Sequence, residues 1–222
     1  MQHLAFRLIL GIIIATPSLS LAQSSEFGNW LLYFGNKNIN DKLNWHHEVQ
    51  YRNYNAIGDM EQLLLRTGIG YNLTPGNHNV LFGYGFVQSE NYIPIQNDKL
   101  DIPEHRLYQQ FIAKQKAGKV RIQHRYRFEQ RWITKDFKMR FRYFLSINVP
   151  LSNSELVDKT VYLSAYNELF VNNTETLFDR NRFYGGLGYK LSKRVKFEVG
   201  YMNQYFGTSS RDQINLVTFV NF

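Results

Sequence analysis

The sequence predicts an all-β chain: a transmembrane, antiparallel, up-and-down β-barrel of about 10–12 strands that follows a cleaved signal peptide. Three observations predict it. Long stretches alternate apolar with charged residues at a period of two, which gives a strand two unlike faces. The chain is 16% aromatic and 44% hydrophobic, yet its mean hydropathy is −0.39. That average excludes a bundle of membrane helices, and alternating strands reconcile it with the aromatic content. Finally, only the first residues are continuously apolar, and that run is short.

The alternation is plainest in residues 120–149. Val120, Ile122, Tyr126, Phe128 and Trp132 alternate with Arg121, Gln123, Arg125, Arg127, Glu129 and Arg131. After a turn at ITKD, Met139, Phe141, Tyr143, Leu145 and Ile147 alternate with Lys138, Arg140 and Arg142. Each arm exceeds the mean of about 5–6 residues for a soluble strand. Each also reaches the roughly 9–11 residues that cross a bilayer at a tilt.

The other elements follow in order. Arg7, the apolar run LILGIIIA, and the small residues before Ala22 and Gln23 read as a signal peptide over residues 1–22, cleaved between those two. The run is far short of the roughly 20 residues a spanning helix needs. Residues 23–222 then form the barrel. Strand patterns occupy residues 30–36, 44–54, 62–73 and 79–88, and Thr74-Pro75-Gly76-Asn77 forms a tight turn. Residues 89–103 contain two prolines and read as a loop. Strands resume at 104–115, 120–132, 137–149, 160–170, 181–191, 195–206 and 213–222. The count is eleven. Bacterial single-chain barrels are usually even, so the expectation is ten, with residues 30–36 short of a full span, or twelve with one strand unrecognised.

Two hairpins share a pattern, Gly70-Tyr71 with Gly83-Tyr84 and Gly188-Tyr189 with Gly200-Tyr201. The tyrosines suit an interfacial aromatic girdle, and the glycines either relieve crowding or permit curvature. With Phe222 on the periplasmic side, the turns near Pro75, Ala117 and Ser192 fall there too. The longer connections then face outward, the usual asymmetry of such barrels.

The charged face must be the interior. Four arginines of residues 120–132 turned to lipid would cost on the order of 10 kcal/mol, at roughly 2–4 each near the midplane. The predicted lumen lining therefore includes Arg52, Arg66, Arg121, Arg125, Arg127, Glu129, Arg131, Arg140, Arg142, Glu168, Arg182 and Glu198, with Glu48 and Arg106. Tyr126, Phe128, Trp132, Phe141 and Tyr143 are assigned to lipid. In the last strand Ile214, Leu216, Thr218, Val220 and Phe222 alternate as the signal read by the barrel-insertion machinery.

The strings LLLRTGIGYNL, HRYRFEQRW, RFRYFLSINVPL, YNELF and RNRFYGGLGYKL together resemble the domain-of-unknown-function family 2490 of Gram-negative outer-membrane proteins, over nearly the whole mature chain. The resemblance implies a barrel in the outer membrane, and it brings no activity and no site residues.

Function narrows by exclusion. There is no cysteine, so no disulfide, thiolate metal site or lipidated N-terminal cysteine. The excess of 26 basic over 18 acidic residues is spread over alternate strand positions, which argues for a lined face and against nucleic-acid binding. A narrow interior lined by arginine and glutamate has two readings. It is a small anion-favouring pore, or the groups pair and fill the lumen of a surface-binding or scaffold barrel. A barrel hydrolase needs a serine beside a histidine, and no Ser-x-His or His-x-Ser pair occurs. The chain reads as non-enzymatic, without a cofactor or metal. His46 and His47 are adjacent and point to opposite faces. Asp98, Asp101, Glu104 and His105 form a group by an outer loop that reads as solvated. The expected partners are outer-membrane lipid, the insertion machinery and small anionic solutes.

Overall fold

The computed structural model describes residues 27–95, 98–174 and 176–222. The expected signal peptide and its cleavage point at Ala22 and Gln23 lie outside the described residues. Eleven strands follow one another: β1 (Gly28–Asn38), β2 (Leu43–Asn53), β3 (Met60–Thr74), β4 (His78–Tyr92), β5 (Lys99–Ala117), β6 (Val120–Ile133), β7 (Asp136–Pro150), β8 (Thr160–Asn172), β9 (Phe178–Lys190), β10 (Val195–Tyr205) and β11 (Ser210–Asn221). They form one closed barrel in which each strand pairs with the next in sequence and β1 closes onto β11. There is no helix among the described residues.

The expectation of ten or twelve strands is corrected. β1 is a full strand, paired with β2 from Asn29↔Asn53 to Asn38↔Asn44. Consecutive antiparallel strands reverse direction each time, so the first and eleventh run the same way and the barrel closes through a parallel pair. That seam runs from Gly28↔Gln213 to Asn36↔Asn221. The antiparallel expectation therefore holds at every junction except the closing one.

The connections 39–42, 75–77, 118–119, 151–159 and 191–194 lie at one end of the barrel, with Phe222, whose N–H donates to the Asn36 carbonyl at 2.9 Å. The connections 54–59, 134–135 and 206–209 lie at the far end, with the described residues 93–95, 98, 173–174 and 176–177. The expected contrast in length between the ends is absent, because the longest connection, 151–159, lies at the Phe222 end. The predicted loop 89–103 also shrinks. β4 and β5 stay paired out to Tyr92↔Lys99, beyond the last β5–β6 pair, Glu104↔Ile133. Pro103 thus lies where β5 has lost its β6 neighbour, an edge position that tolerates a residue without an N–H.

The two faces of the wall are opposite to those of a water-soluble globule. Outward-facing Phe82, Phe183 and Leu187 are each more than half exposed, whereas inward-facing Glu129 and Gln213 are fully buried. One apolar cluster interrupts the polar interior. Trp30, Leu32, Tyr184, Met202 and Val217, with Phe34, Tyr166 and Phe219 against them, cover the inside of the parallel seam. Parallel pairing is slightly weaker per residue than antiparallel, and this packing reinforces it.

The glycines of the Gly-Tyr pattern face inward and their tyrosines outward. Three of them make room for inner aromatic rings: a Cβ at Gly188 would strike the ring of Tyr162, one at Gly83 the ring of Tyr108, and one at Gly200 the ring of Tyr184, whereas one at Gly70 would strike the Asn44 side chain. The Tyr162 hydroxyl, held flat against the wall in this way, donates to Glu198 at 2.8 Å. Gly188→Val is expected to destabilise the barrel by about 1–3 kcal/mol, the usual cost of overpacking. Gly185→Ala, where a Cβ meets nothing within 4 Å, should be close to neutral. Urea unfolding followed by circular dichroism compares the two.

Candidate functional site: a basic interior open at one end

Alternation places the charges, and register brings them together. Along β6 the inward positions are Arg125, Arg127, Glu129 and Arg131, running from the Phe222 end toward the far end. On the neighbouring strand Arg142 stands opposite Arg127, and Arg140 opposite Glu129. Like charges face each other in the first pair, so that pairing needs a third group to neutralise it. Glu129 and Glu168 supply the negative charge.

Glu129, fully buried, accepts from Arg140 Nε at 3.0 Å and Nη2 at 2.7 Å, and from Arg142 Nη1 at 2.8 Å. Arg127 Nη1 approaches it to 3.7 Å. Glu168 accepts from Arg125 Nη2 at 2.6 Å and from Arg142 Nη2 at 2.6 Å, and Arg182 lies 3.6 Å away. Toward the far end Glu104 takes a two-pronged contact from Arg106, at 2.6 and 2.7 Å. It takes a second from Arg131, at 2.5 and 3.0 Å. Arg140 also reaches Asp179 at 3.0 Å. On the opposite wall Arg66 donates to Glu48 at 2.6 Å, and Gln50 also donates to that carboxylate. Such charge-assisted, often two-pronged bonds are among the strongest in proteins.

The charges do not balance. Arg52, Arg66, Arg106, Arg127, Arg140, Arg142 and Arg182 are buried against Glu48, Glu104, Glu129, Glu168 and Glu198. With half-buried Arg125, Arg131 and Arg180 and the half-buried carboxylate of Asp179, ten arginines meet six carboxylates, leaving four arginine charges in excess. Neutral groups and rings absorb part of the surplus. Arg52 donates to Gln62 at 2.6 Å and lies 3.8 Å from the centre of the Trp30 ring. Arg127 is held by Gln110 at 2.9 and 2.5 Å, and Arg182 by Gln204 at 2.8 Å.

A cavity of about 540 Å³ enters from the Phe222 end, past Asn36, Asn72 and Asn221. It reaches Arg52, Arg66, Arg127, Arg142 and Arg182. Glu129, Arg140, Glu104 and Arg106 lie beyond it, packed across the far half of the lumen. One side of the cavity carries Trp30, Leu32, Phe34, Val217 and Phe219, and Lys114 and Lys196 stand nearer its mouth. Among the described residues no group of three or more His, Cys, Asp or Glu could hold a metal ion.

The structure places Arg52, Arg66, Arg125, Arg127, Glu129, Arg131, Arg140, Arg142, Glu168, Arg182 and Glu198 on the inner side of the wall. Arg121 shares their parity but stands at the rim, largely exposed and 3.9 Å from Glu155. Tyr126, Phe128, Trp132 and Phe141 stand on the outer face, and half-buried Tyr143 is beside them, its ring 5.1 Å from Tyr126. Phe222 is exposed at the edge of the β1–β11 seam, 5.7 Å from the His47 ring.

The expected outer-loop group of Asp98, Asp101, Glu104 and His105 is dispersed. Glu104 is an interior residue, whereas His105 faces out and bonds the Tyr84 hydroxyl at 2.6 Å. Glu104 shares the parity of Arg106, a signal masked by reading Pro103 as a loop boundary. The buried glutamines Gln50, Gln110, Gln204 and Gln213 also belong to the network, and their alternation with apolar residues marks them only once the inner face is known.

A family model described as "Protein of unknown function (DUF2490)" matches residues 27–215. An uncharacterized protein of Methylorubrum extorquens is 32% identical over 167 residues, covering 71% of this chain and 69% of that protein. No solved structure matches the chain.

Removing one member of the buried network strands its partners. Glu129→Gln is expected to destabilise the barrel by about 3–5 kcal/mol, since it leaves buried guanidinium groups uncompensated. Glu155→Gln removes only exposed contacts to Lys116 and Arg121 and should leave the unfolding midpoint unchanged. Urea titrations of both variants, followed by tryptophan fluorescence, measure the difference.

Proposed function

Because the chain belongs to the DUF2490 family, whose description assigns no activity, we propose from its own geometry that it is an outer-membrane β-barrel enclosing a basic chamber open to one side only. One observation carries this reading: the polarity of the wall is inverted, apolar outward and arginine-rich inward. An arginine facing lipid near the midplane costs about 2–4 kcal/mol, so the arginine-bearing face is the one that turns from lipid. The strands, from 11 to 19 residues long, meet the roughly 9–11 that a tilted span requires. The apolar leader at residues 1–22 favours export. The alternating final strand ending in Phe222 suits recognition by the insertion machinery, which sets the Phe222 end and the chamber mouth toward the periplasm.

In this reading the chamber is a binding site, not a conduit and not a catalytic centre. Ion pairs fill its far half. The four surplus arginine charges favour anionic solutes at the chamber floor. They also favour a second reading, a small anion-selective pore, which requires the Glu129 and Glu104 clusters to move aside.

Fractionation and conductance test both readings. The protein is expected in the outer-membrane fraction, running at different positions on gels before and after heating, and silent in planar bilayers. Anion-selective steps would establish the pore instead. Recovery from the soluble fraction would overturn the membrane reading.

A further inference from the structure

The chamber has two chemically unlike walls, and together they specify a ligand class. On the floor, hydrogen-bond donors outnumber acceptors. Arg127 is 2% exposed and lines the cavity, and its Nη1 finds no hydrogen-bond acceptor. Arg66 Nε, Arg125 Nε and the indole Nε1 of Trp30, all on lining residues, are likewise without hydrogen-bond partners, against two unpartnered acceptors, Asn148 Oδ1 and Asn215 Oδ1. A buried donor without a partner has lost its water and gained no acceptor in return, so four of them around one cavity form a receptor for an acceptor group. Six lining arginines against Glu48, Glu168 and Glu198 require that acceptor to be anionic.

The second wall is apolar and leads from the floor to the mouth. Trp30, Leu32 and Phe34 occupy successive inward positions of β1, and in register beside them stand Asn215, Val217 and Phe219 of β11. From Trp30 to Phe34 the strip runs four residues, roughly 13 Å of strand. A small inorganic anion would leave this strip bare, and a neutral hydrocarbon would leave the donors unpaired.

We infer that the chamber takes a single-chain amphiphilic anion, its head group on Arg127 and Arg66 and its hydrocarbon chain along the Trp30–Leu32–Phe34 strip toward the mouth. The cavity volume, about 540 Å³, lies within the usual range for a small-molecule site. The inference rests on the one-ended chamber of the preceding section and names what that chamber binds.

The chain contains three tryptophans, Trp30, Trp45 and Trp132, and only Trp30 faces the chamber. The full protein carrying Trp45→Phe and Trp132→Phe, reconstituted in nanodiscs of zwitterionic lipid belted by a tryptophan-free scaffold protein, reports ligand entry through Trp30 emission alone. Decanoate should change that emission saturably, decanol at least tenfold more weakly, and acetate not at all. Arg127→Gln should weaken decanoate binding at least tenfold. Should that variant fail to fold, Phe34→Glu near the mouth should do the same by repelling the carboxylate.

A decanoate response that never saturates, or that matches empty nanodiscs, overturns the inference. So does equal binding of decanol or acetate, or undiminished binding in both variants. Conductance and fractionation do not depend on decanoate, so failure here leaves the barrel reading standing, and failure there is seen separately.

Discussion

The constraint on which the rest of this structure depends is the enclosure of guanidinium groups. An arginine inside a barrel wall gives up bulk water and must find its counter-charge and hydrogen bonds among neighbours fixed by register. Glu129 serves three arginines because β6 and β7 place Arg127 beside Arg142 and Glu129 beside Arg140, so a carboxylate one step along the face must reach across. Unlike a surface ion pair, whose worth is about 0–1 kcal/mol, such a cluster is costly to break from one side. A polar interior held in this way requires the apolar residues to go outside, and alternation along each strand puts them there.

The same geometry explains the glycines. An interior filled by arginine side chains has little room for rings, yet Tyr108, Tyr162 and Tyr184 are all inside. Each lies flat on the wall over a strand position that has no side chain. Tyr162 then presents its hydroxyl to Glu198, the one buried glutamate whose bonds come from hydroxyls, of Tyr162 and Ser164. The Gly-Tyr repeat thus has two functions on two faces: its glycine seats an inner ring, or at Gly70 the Asn44 side chain, and its tyrosine belongs to the outer surface.

Much of this was legible in the residues, for a specific reason. A period of two is a local property, and a one-residue slip would exchange the faces entirely. The alternation in residues 120–149 therefore fixes which side each arginine takes without knowledge of the partners. What alternation does not encode is closure. Nothing in β1 or β11 alone says that they pair, and the usual parity of barrels pointed away from eleven. The ends of strands were also hard to read, because Pro103 breaks a strand in a sheet interior but not at an edge, and Glu104, the first residue of the strand read after it, was grouped with the outer loop. The identity of each ion-pair partner depends on register, which the pattern of a single strand does not contain.

The odd count and the chamber are two consequences of one arrangement. A parallel closing pair has the weaker hydrogen-bond pattern, and an ion pair is a poor seal for it because its charges must be satisfied within reach. Apolar packing makes no such demand. The inner face of the seam is accordingly built from Trp30, Leu32, Val217 and their neighbours, while the arginines are carried mainly by the antiparallel wall from β3 to β9. An apolar strip therefore faces a basic wall across the lumen. Where the lumen is filled, glutamates neutralise the arginines. Where it opens toward Phe222, the glutamates are too few, and the seam's packing and the surplus charge together line the same cavity. The dual character of the chamber thus follows from how an odd-numbered barrel is closed.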